Sequence, residues 1–401
     1  MSRILFVDDE PALLDGLRVR LRGCRSQWEM VFVESGARAV VELELHPVDV
    51  IVADMRMPRM DGAELLTIVR ERWPQTIRLV LSGYSEEEQS TRLLALAHQY
   101  LSKPCEPQRI ESSIRRCLAL KELLKEPALQ ALVGSVGQLP ILASMRQRLT
   151  SAIDQQQSTA REIAQLICED PPFAAKLLQV TNSAFFRLPR SLASIEQAVG
   201  YVGMQALRSL LADGVSLSWP DTHAIAGLPP AALQGRALRV AAAARAIAAG
   251  TPIAAEAYLA GLLHNIGHWV LLQQRPAQMQ TALELARTRH LPLHCAEQEV
   301  LGASHAEVGA YLLGLWGLPA SVVDAIALQY SPQPSPVDEG GVLATLCAAT
   351  NLTTATMPCA SGVFERADVA IDEACLRSLH APFNLTQAQQ RIASLAEEVP
   401  A

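Results

Sequence analysis

The first third of the chain alternates short apolar runs with helical patterns, and the runs end on polar residues that belong together chemically. Ile4–Val7 leads into Asp8 and Asp9, Val48–Ala53 into Asp54, Ile77–Leu81 into Ser82, and Gln99–Ser102 into Lys103. These runs predict strands over 3–7, 29–33, 48–53, 77–81 and 99–102, separated by helices over 11–22, 36–45, 61–72 and 86–97, with a further helix over 107–124. Strands and helices alternating in this way make a parallel sheet covered by helices on both faces. Ligands of such sheets bind at the carboxyl ends of the strands, near the topological switch point. All the polar residues just named fall on that edge.

Three carboxylates, a hydroxyl and an ammonium gathered there predict a site for Mg²⁺ and a phosphoryl group. Mg²⁺ takes hard oxygen ligands in near-octahedral geometry and keeps some of its water. Asp8, Asp9 and Asp54 supply carboxylates, and the backbone carbonyl of Arg56 completes the protein's share. Without a cation the clustered acids repel, so at least one carboxyl should be pushed up. Lys103 would meet a phosphate oxygen as a point charge, and Ser82 would donate to another. Any one of these acids alone reads better as a cap of the helix that follows. The ordered set of strand ends reads as a site.

On these residues, 1–120 resembles the receiver domain of a two-component response regulator, a flavodoxin-like α/β fold. Met57-Pro58 with Asp61-Gly62 fits the family's loop after the phosphoacceptor, and Tyr100, three residues before Lys103, matches its switch aromatic. The resemblance implies that Asp8 and Asp9 hold Mg²⁺ and that Asp54 accepts a phosphoryl group from a sensor histidine kinase. It implies that Ser82 and Tyr100 report the change to the face formed by helix 86–97, the fifth strand and helix 107–124.

The character changes after a boundary marked by Glu126-Pro127, Gly134, Gly137 and Pro140, which places a helical linker over 121–137. Beyond it apolar residues recur at helical spacing, and the Ala-rich stretch Val240–Ala249 suits close helix packing. This predicts an all-α domain over 138–338 and a helical extension over 339–401 packed on it, whose last helix starts after Asn384. His264 and His268 are four apart and could share one helix face; with His305 they suggest a zinc or di-iron hydrolase. No Glu stands in the HExxH position, which excludes that protease motif. His290 and His294 repeat the spacing with Pro292 between them, and they are expected to stay out of any ligand set.

Gly261–Gly267 resembles the LLHDIG signature of the HD phosphohydrolase superfamily, with Asn265 where the family has Asp. The family's earlier His would fall near Arg236, and its late Asp in 342–353, a stretch without Asp. Arg236, His264, Asn265 and His305 then form a degenerate HD site with no metal and no catalytic residue. Upstream, Gln138-Leu139-Pro140, Cys168–Pro171, Lys176–Ala184, Ser194–Val199 and Val202-Gly203, followed by His305–Gly309, resemble the HDOD domain over about 135–332. The resemblance implies an all-helical fold and a regulatory, protein-binding role.

Bulk properties narrow the classes. A formal net charge of −7 and the lack of a basic recognition helix argue against nucleic acid or an anionic membrane as partner. No window approaches the ~18 apolar residues of a membrane helix, and Asp8-Asp9 come too early for a signal peptide. Eight cysteines without a CxxC pair read as reduced thiols of a cytoplasmic protein. The expected function is a response regulator whose output is binding, with a sensor histidine kinase, an unidentified downstream signalling protein and a possible second copy as partners. The alternative is a metal-dependent HD-type phosphohydrolase or cyclic-dinucleotide phosphodiesterase, although the chain contains no Gly-Tyr-Pro triplet.

Overall fold

The structure, a computed structural model, describes residues 1–82, 96–103, 106–137, 139–155, 158–183, 191–213, 218–219, 228–335, 338, 341–356 and 371–398. Most of the expected helix 86–97 lies outside the described residues, as does the side chain of Ser82. The chain divides into two compact units, the first built mainly on 1–138 and the second on 139–178, 192–313 and 318–401.

In the first unit, β1 (Ser2–Val7), β2 (Trp28–Val33), β3 (Val50–Asp54), β4 (Ile77–Ser82) and β5 (Gln99–Ser102) form one parallel sheet of order β2-β1-β3-β4-β5. Every residue of β3 is buried, as expected of a central strand covered on both faces. The described helices are α1 (Pro11–Arg20), α2 (Gly36–Leu45), α3 (Gly62–Arg72), α4 (Pro107–Leu123) and α5 (Pro127–Ser135). Two strands end one residue later than their apolar runs, so Asp54 and Ser82 are the last residues of β3 and β4. The capping role that a lone acid could fill belongs to Asp61, whose side chain accepts from Glu64 N at the start of α3. Asp54 is therefore not spent on a helix end.

The expected linker 121–137 contains a helix of its own, α5, docked on the amino-terminal edge of the sheet. Arg78 and His98, both buried, hold it there. Arg78 donates from Nη2 to Gly134 O at 2.6 Å and from Nε to Leu96 O at 2.6 Å. Arg78 N donates to His98 Nδ1 at 3.0 Å, which leaves the proton on Nε2, and Nε2 faces Gly134 O at 3.2 Å. Burial first, then the Arg78 charge, pushes His98 well below the usual histidine range, so it stays neutral. A Cβ at Gly134 would overlap the carbonyl of Pro74, so only glycine permits this approach.

The second unit is helical: α6 (Ala143–Asp154), α7 (Ala160–Cys168), α8 (Pro171–Thr181), α9 (Ile195–Asp213), α10 (Pro230–Ile247), α11 (Ala254–Leu263), α12 (Ile266–Gln274), α13 (Pro276–Arg289), α14 (Leu293–Leu301), α15 (His305–Leu315), α16 (Ala320–Leu328), α17 (Val342–Thr356), α18 (Glu373–Ser378) and α19 (Leu385–Glu398). The sequence showed no sign of the short parallel pair β6 (Ile141–Leu142) with β7 (Ser218–Trp219). The Ala-rich stretch does pack closely: Ala241, Ala243 and Ala244 are buried on α10, and Gly261 of α11 lies against the backbone of Ala241. Helix α19 packs on α10 and α17, and Asn384 caps it by accepting from Gln387 N at 2.9 Å. No helix among the described residues is long and apolar enough to cross a membrane.

Gly134→Ala should loosen α5 by overpacking, at a cost of about 1–3 kcal/mol. Limited trypsinolysis checks it: cleavage after the exposed Lys125 should accelerate in the variant.

Candidate functional site

Register builds the site of the first unit. Val7 pairs with Ala53 across β1 and β3, so the next residues, Asp8 and Asp54, come side by side. Asp54 pairs with Leu81, which brings Ser82 next to it, and Ser82 pairs with Ser102, which brings Lys103 to the same edge. Lys103 Nζ lies 2.7 Å from both Asp8 Oδ2 and Asp54 Oδ1. Asp8 is 1% exposed and Asp54 7%, so the ammonium sits between two carboxylates taken out of water. Asp8 Oδ1 also accepts from Glu10 N at 3.0 Å.

The charges respond as crowding predicts, with a different leading cause. Burial, more than the nearby Asp8, raises the carboxyl of Asp54, and Lys103 works against the rise. Burial alone would lower the Lys103 ammonium, but its hydrogen bonds to Asp54 and Asp8 keep it raised. The ligand oxygens of Asp8, Asp9 and Asp54 lie within 4.8 Å of one another, a donor set that fits a hard, oxygen-seeking divalent cation. Arg56 is exposed two residues past Asp54, in a loop closed by Gly62 N donating to Met55 O at 3.0 Å. Tyr100 is buried on β5, three residues from Lys103. The structure thus brings Asp8, Asp9, Asp54 and Lys103 together, with the end of β4 at Ser82 beside them.

In the helical unit the histidines do not share one continuous helix. α11 ends at Leu263, His264 and Asn265 form a break, and α12 begins at Ile266. His264 Nδ1 lies 2.7 Å from Gly261 O; a carbonyl only accepts, so Nδ1 carries the proton and Nε2 is a bare lone pair. Burial, and then Arg236, push His264 well below the usual range. Asn265 donates from Nδ2 to Leu233 O at 2.9 Å, and its Oδ1 and His264 Nε2 are buried without a partner. An Asp at 265 would set a carboxylate against that carbonyl. Asn is used here as a donor, which an ionised Asp cannot be.

His268 turns instead toward His305. Gly267 of α12 and Gly309 of α15 let the two helices cross so closely that a Cβ on Gly267 would overlap the His305 carbonyl. The imidazoles of His268 and His305 consequently stack, with centroids 3.7 Å apart and planes at 22°. Glu297 of α14 clasps both: Oε1 lies 2.8 Å from His268 Nε2, and Oε2 lies 2.6 Å from His305 Nδ1 while accepting from His305 N at 2.8 Å. Burial opposes ionisation of Glu297, but the two histidines outweigh it and hold the carboxyl below its usual range. Burial, and then His305, lower His268 to about 4. Tyr330 Oη lies 3.0 Å from His305 Nε2, and the Tyr330 ring stacks on His294 at 4.0 Å.

The donor atoms of His268, Glu297 and His305 lie within 4.8 Å of one another, which by distance alone would admit a metal ion. Ring geometry argues against one. An ion bound to an imidazole nitrogen lies in that ring's plane, and two stacked, nearly parallel planes meet only far beyond coordination distance. The arrangement is a hydrogen-bonded carboxylate between two imidazoles.

Sequence reasoning left out Glu297, Tyr330 and the part His268 plays. One signal was available: Leu293, Ala296 and Leu301 mark the buried stripe of α14, and Glu297 stands on that stripe. A carboxylate there needs buried partners. His294 joins the edge of the cluster through Tyr330, whereas His290 ends α13 in the left-handed region at φ 54°.

Comparison with known proteins agrees with both units. The response regulator receiver domain model matches residues 4–115 and the HDOD domain model matches 139–332. The chain therefore joins a receiver domain of the response regulator family to an HDOD domain. An uncharacterized protein of Treponema pallidum is 26% identical over 282 residues, covering 69% of this chain and 52% of the relative. The hydrogenase transcriptional regulatory protein HoxA of Cupriavidus necator is 36% identical over 124 residues, 30% of this chain and 25% of HoxA. The chain thus spans about half the length of the first relative and a quarter of the second. Among solved structures, the MmoQ response regulator of Methylococcus capsulatus is 22% identical, with a TM-score of 0.49, covering 64% of this chain and 98% of that one.

Asn265→Asp should cost roughly 2–4 kcal/mol, since it replaces a buried donor with a buried charge facing a carbonyl. Chemical denaturation of the full chain measures it. A neutral substitution that also brings in a stoichiometric metal would contradict the donor role.

Proposed function

We propose that the chain works in the cytoplasm as a phosphorylation-controlled binding protein. Asp54 accepts a phosphoryl group from a sensor histidine kinase, and the HDOD unit answers by changing what it binds. The observation that carries this reading is the Lys103 ammonium, 2.7 Å from the carboxylates of both Asp8 and Asp54 at the carboxyl edge of the sheet.

Asp8, Asp9, Asp54 and the carbonyl of Arg56 would hold Mg²⁺. The ion would supply charge neutralisation between the acids and the incoming phosphoryl oxygens. The chain's own residues do the rest. An oxygen of Asp54 attacks phosphorus and forms the acyl phosphate as the donor's leaving group departs. Lys103 is already placed to move from the carboxylate pair to a phosphoryl oxygen, and Ser82 ends the adjacent strand where a second oxygen would lie. The new group brings roughly two negative charges to the end of a strand. Ser82 and Tyr100 sit on β4 and β5, and those strands lead back to Arg78 and His98, which hold α5. The readout would run along that line.

An HDOD unit without a metal-dependent hydrolase centre is supported by the use of Asn265 as a donor to Leu233 O and by the stacking of His268 on His305. The metal-dependent phosphohydrolase reading gains nothing from either. The partner is a downstream signalling protein or a second copy of the chain.

Incubation with acetyl phosphate and Mg²⁺, followed by intact-mass measurement, tests the phosphoacceptor. The wild-type chain should gain one phosphoryl group, and Asp54→Asn or a chelator should abolish the gain. Equal uptake by Asp54→Asn would overturn the assignment.

A further inference from the structure

The clasp of the helical unit does more than fill a core. One line of its hydrogen bonds runs from a residue that keeps contact with solvent to a buried charge. Glu297, 0% exposed, accepts from His305 Nδ1 at 2.6 Å. That bond places the proton on Nδ1 and leaves Nε2 as the lone pair facing Tyr330 Oη at 3.0 Å. Tyr330 is half-buried. A hydroxyl on a base, and the base on an orienting carboxylate, is the arrangement that activates a weak nucleophile.

Three further features suit the task. Glu297 also accepts from His305 N, which fixes the carboxylate at the start of α15, where the helix dipole favours negative charge. His268 occupies the other carboxylate oxygen at 2.8 Å and stacks on His305, so the base cannot rotate out of line. His294 lies flat on the Tyr330 ring, with centroids 4.0 Å apart and planes at 4°, and holds the phenol in place.

We propose that Tyr330 is a base-activated nucleophile that accepts an acyl group from an activated ester. The phenolic oxygen bonds to the acyl carbon while its proton passes to His305 Nε2. The imidazolium so formed lies against the Glu297 carboxylate. The bond from the acyl carbon to the leaving oxygen breaks, and that oxygen takes the proton from His305. The products are an aryl ester on Tyr330 and a free alcohol, with no oxidant or metal required. Glu297 and His268 act through His305 as positioning residues. The proposal is independent of phosphorylation at Asp54, and either can fail without the other.

The test uses the full chain and 4-nitrophenyl acetate, with acetylation mapped by tandem mass spectrometry. Tyr201, 53% exposed on α9, is the internal reference. In the native protein Tyr330 should be acetylated on the order of a hundredfold faster than Tyr201. In concentrated urea the two rates should become equal, which ties the difference to the folded arrangement without relying on a variant. Tyr330→Phe should lose the fast-labelled peptide. A native rate at Tyr330 equal to or below that at Tyr201 would overturn the proposal.

Discussion

One ammonium between two buried carboxylates organises the first unit. Lys103 follows β5, Asp8 follows β1 and Asp54 ends β3, so the contact draws three strand ends of the parallel sheet to one point. Each of these charges would be costly to bury alone; together they satisfy one another. They also form a site whose balance shifts when charge is added. Under the proposed function, a phosphoryl group on Asp54 would give Lys103 a new partner and leave Asp8 facing a larger negative charge. Rearrangement at that edge follows from electrostatics.

The sheet ties this edge to the opposite one. Ser82 and Arg78 are four residues apart on β4, and the site and the α5 clamp share the β4–β5 pair. Arg78 and neutral His98 grip a single carbonyl, and Gly134 is needed for the approach. The contact draws on both strands, since Arg78 stands on β4 and His98 directly precedes β5. That is the physical basis for reading α5 as part of the receiver's output.

Much of the receiver site was legible because parallel strands leave little freedom. Apolar runs set the register, and register sets which residues become neighbours beyond the strand ends. Asp8, Asp54 and Lys103 lie within hydrogen-bond distance of one another through Lys103 for that reason. The helical unit was less legible. A spacing of four predicted His264 and His268 on one helix face, but the chain breaks at Asn265 and the two side chains serve different neighbours. Glu297 was missed because its meaning is non-local: a charge on an apolar stripe makes sense only once α12 and α15 bring two imidazoles to it. Gly267 and Gly309 made that crossing possible, and glycine spacing alone does not say which helices will meet.

The central claim is that a change at Asp54 is felt in the helical unit. Hydrogen–deuterium exchange of the full chain, with and without acetyl phosphate and Mg²⁺ and with phosphorylation checked by mass, measures this directly. Exchange should change in α5 and at one or more helices within 139–401, and Asp54→Asn should show neither change. Identical exchange throughout 139–401 in fully phosphorylated protein would contradict the account.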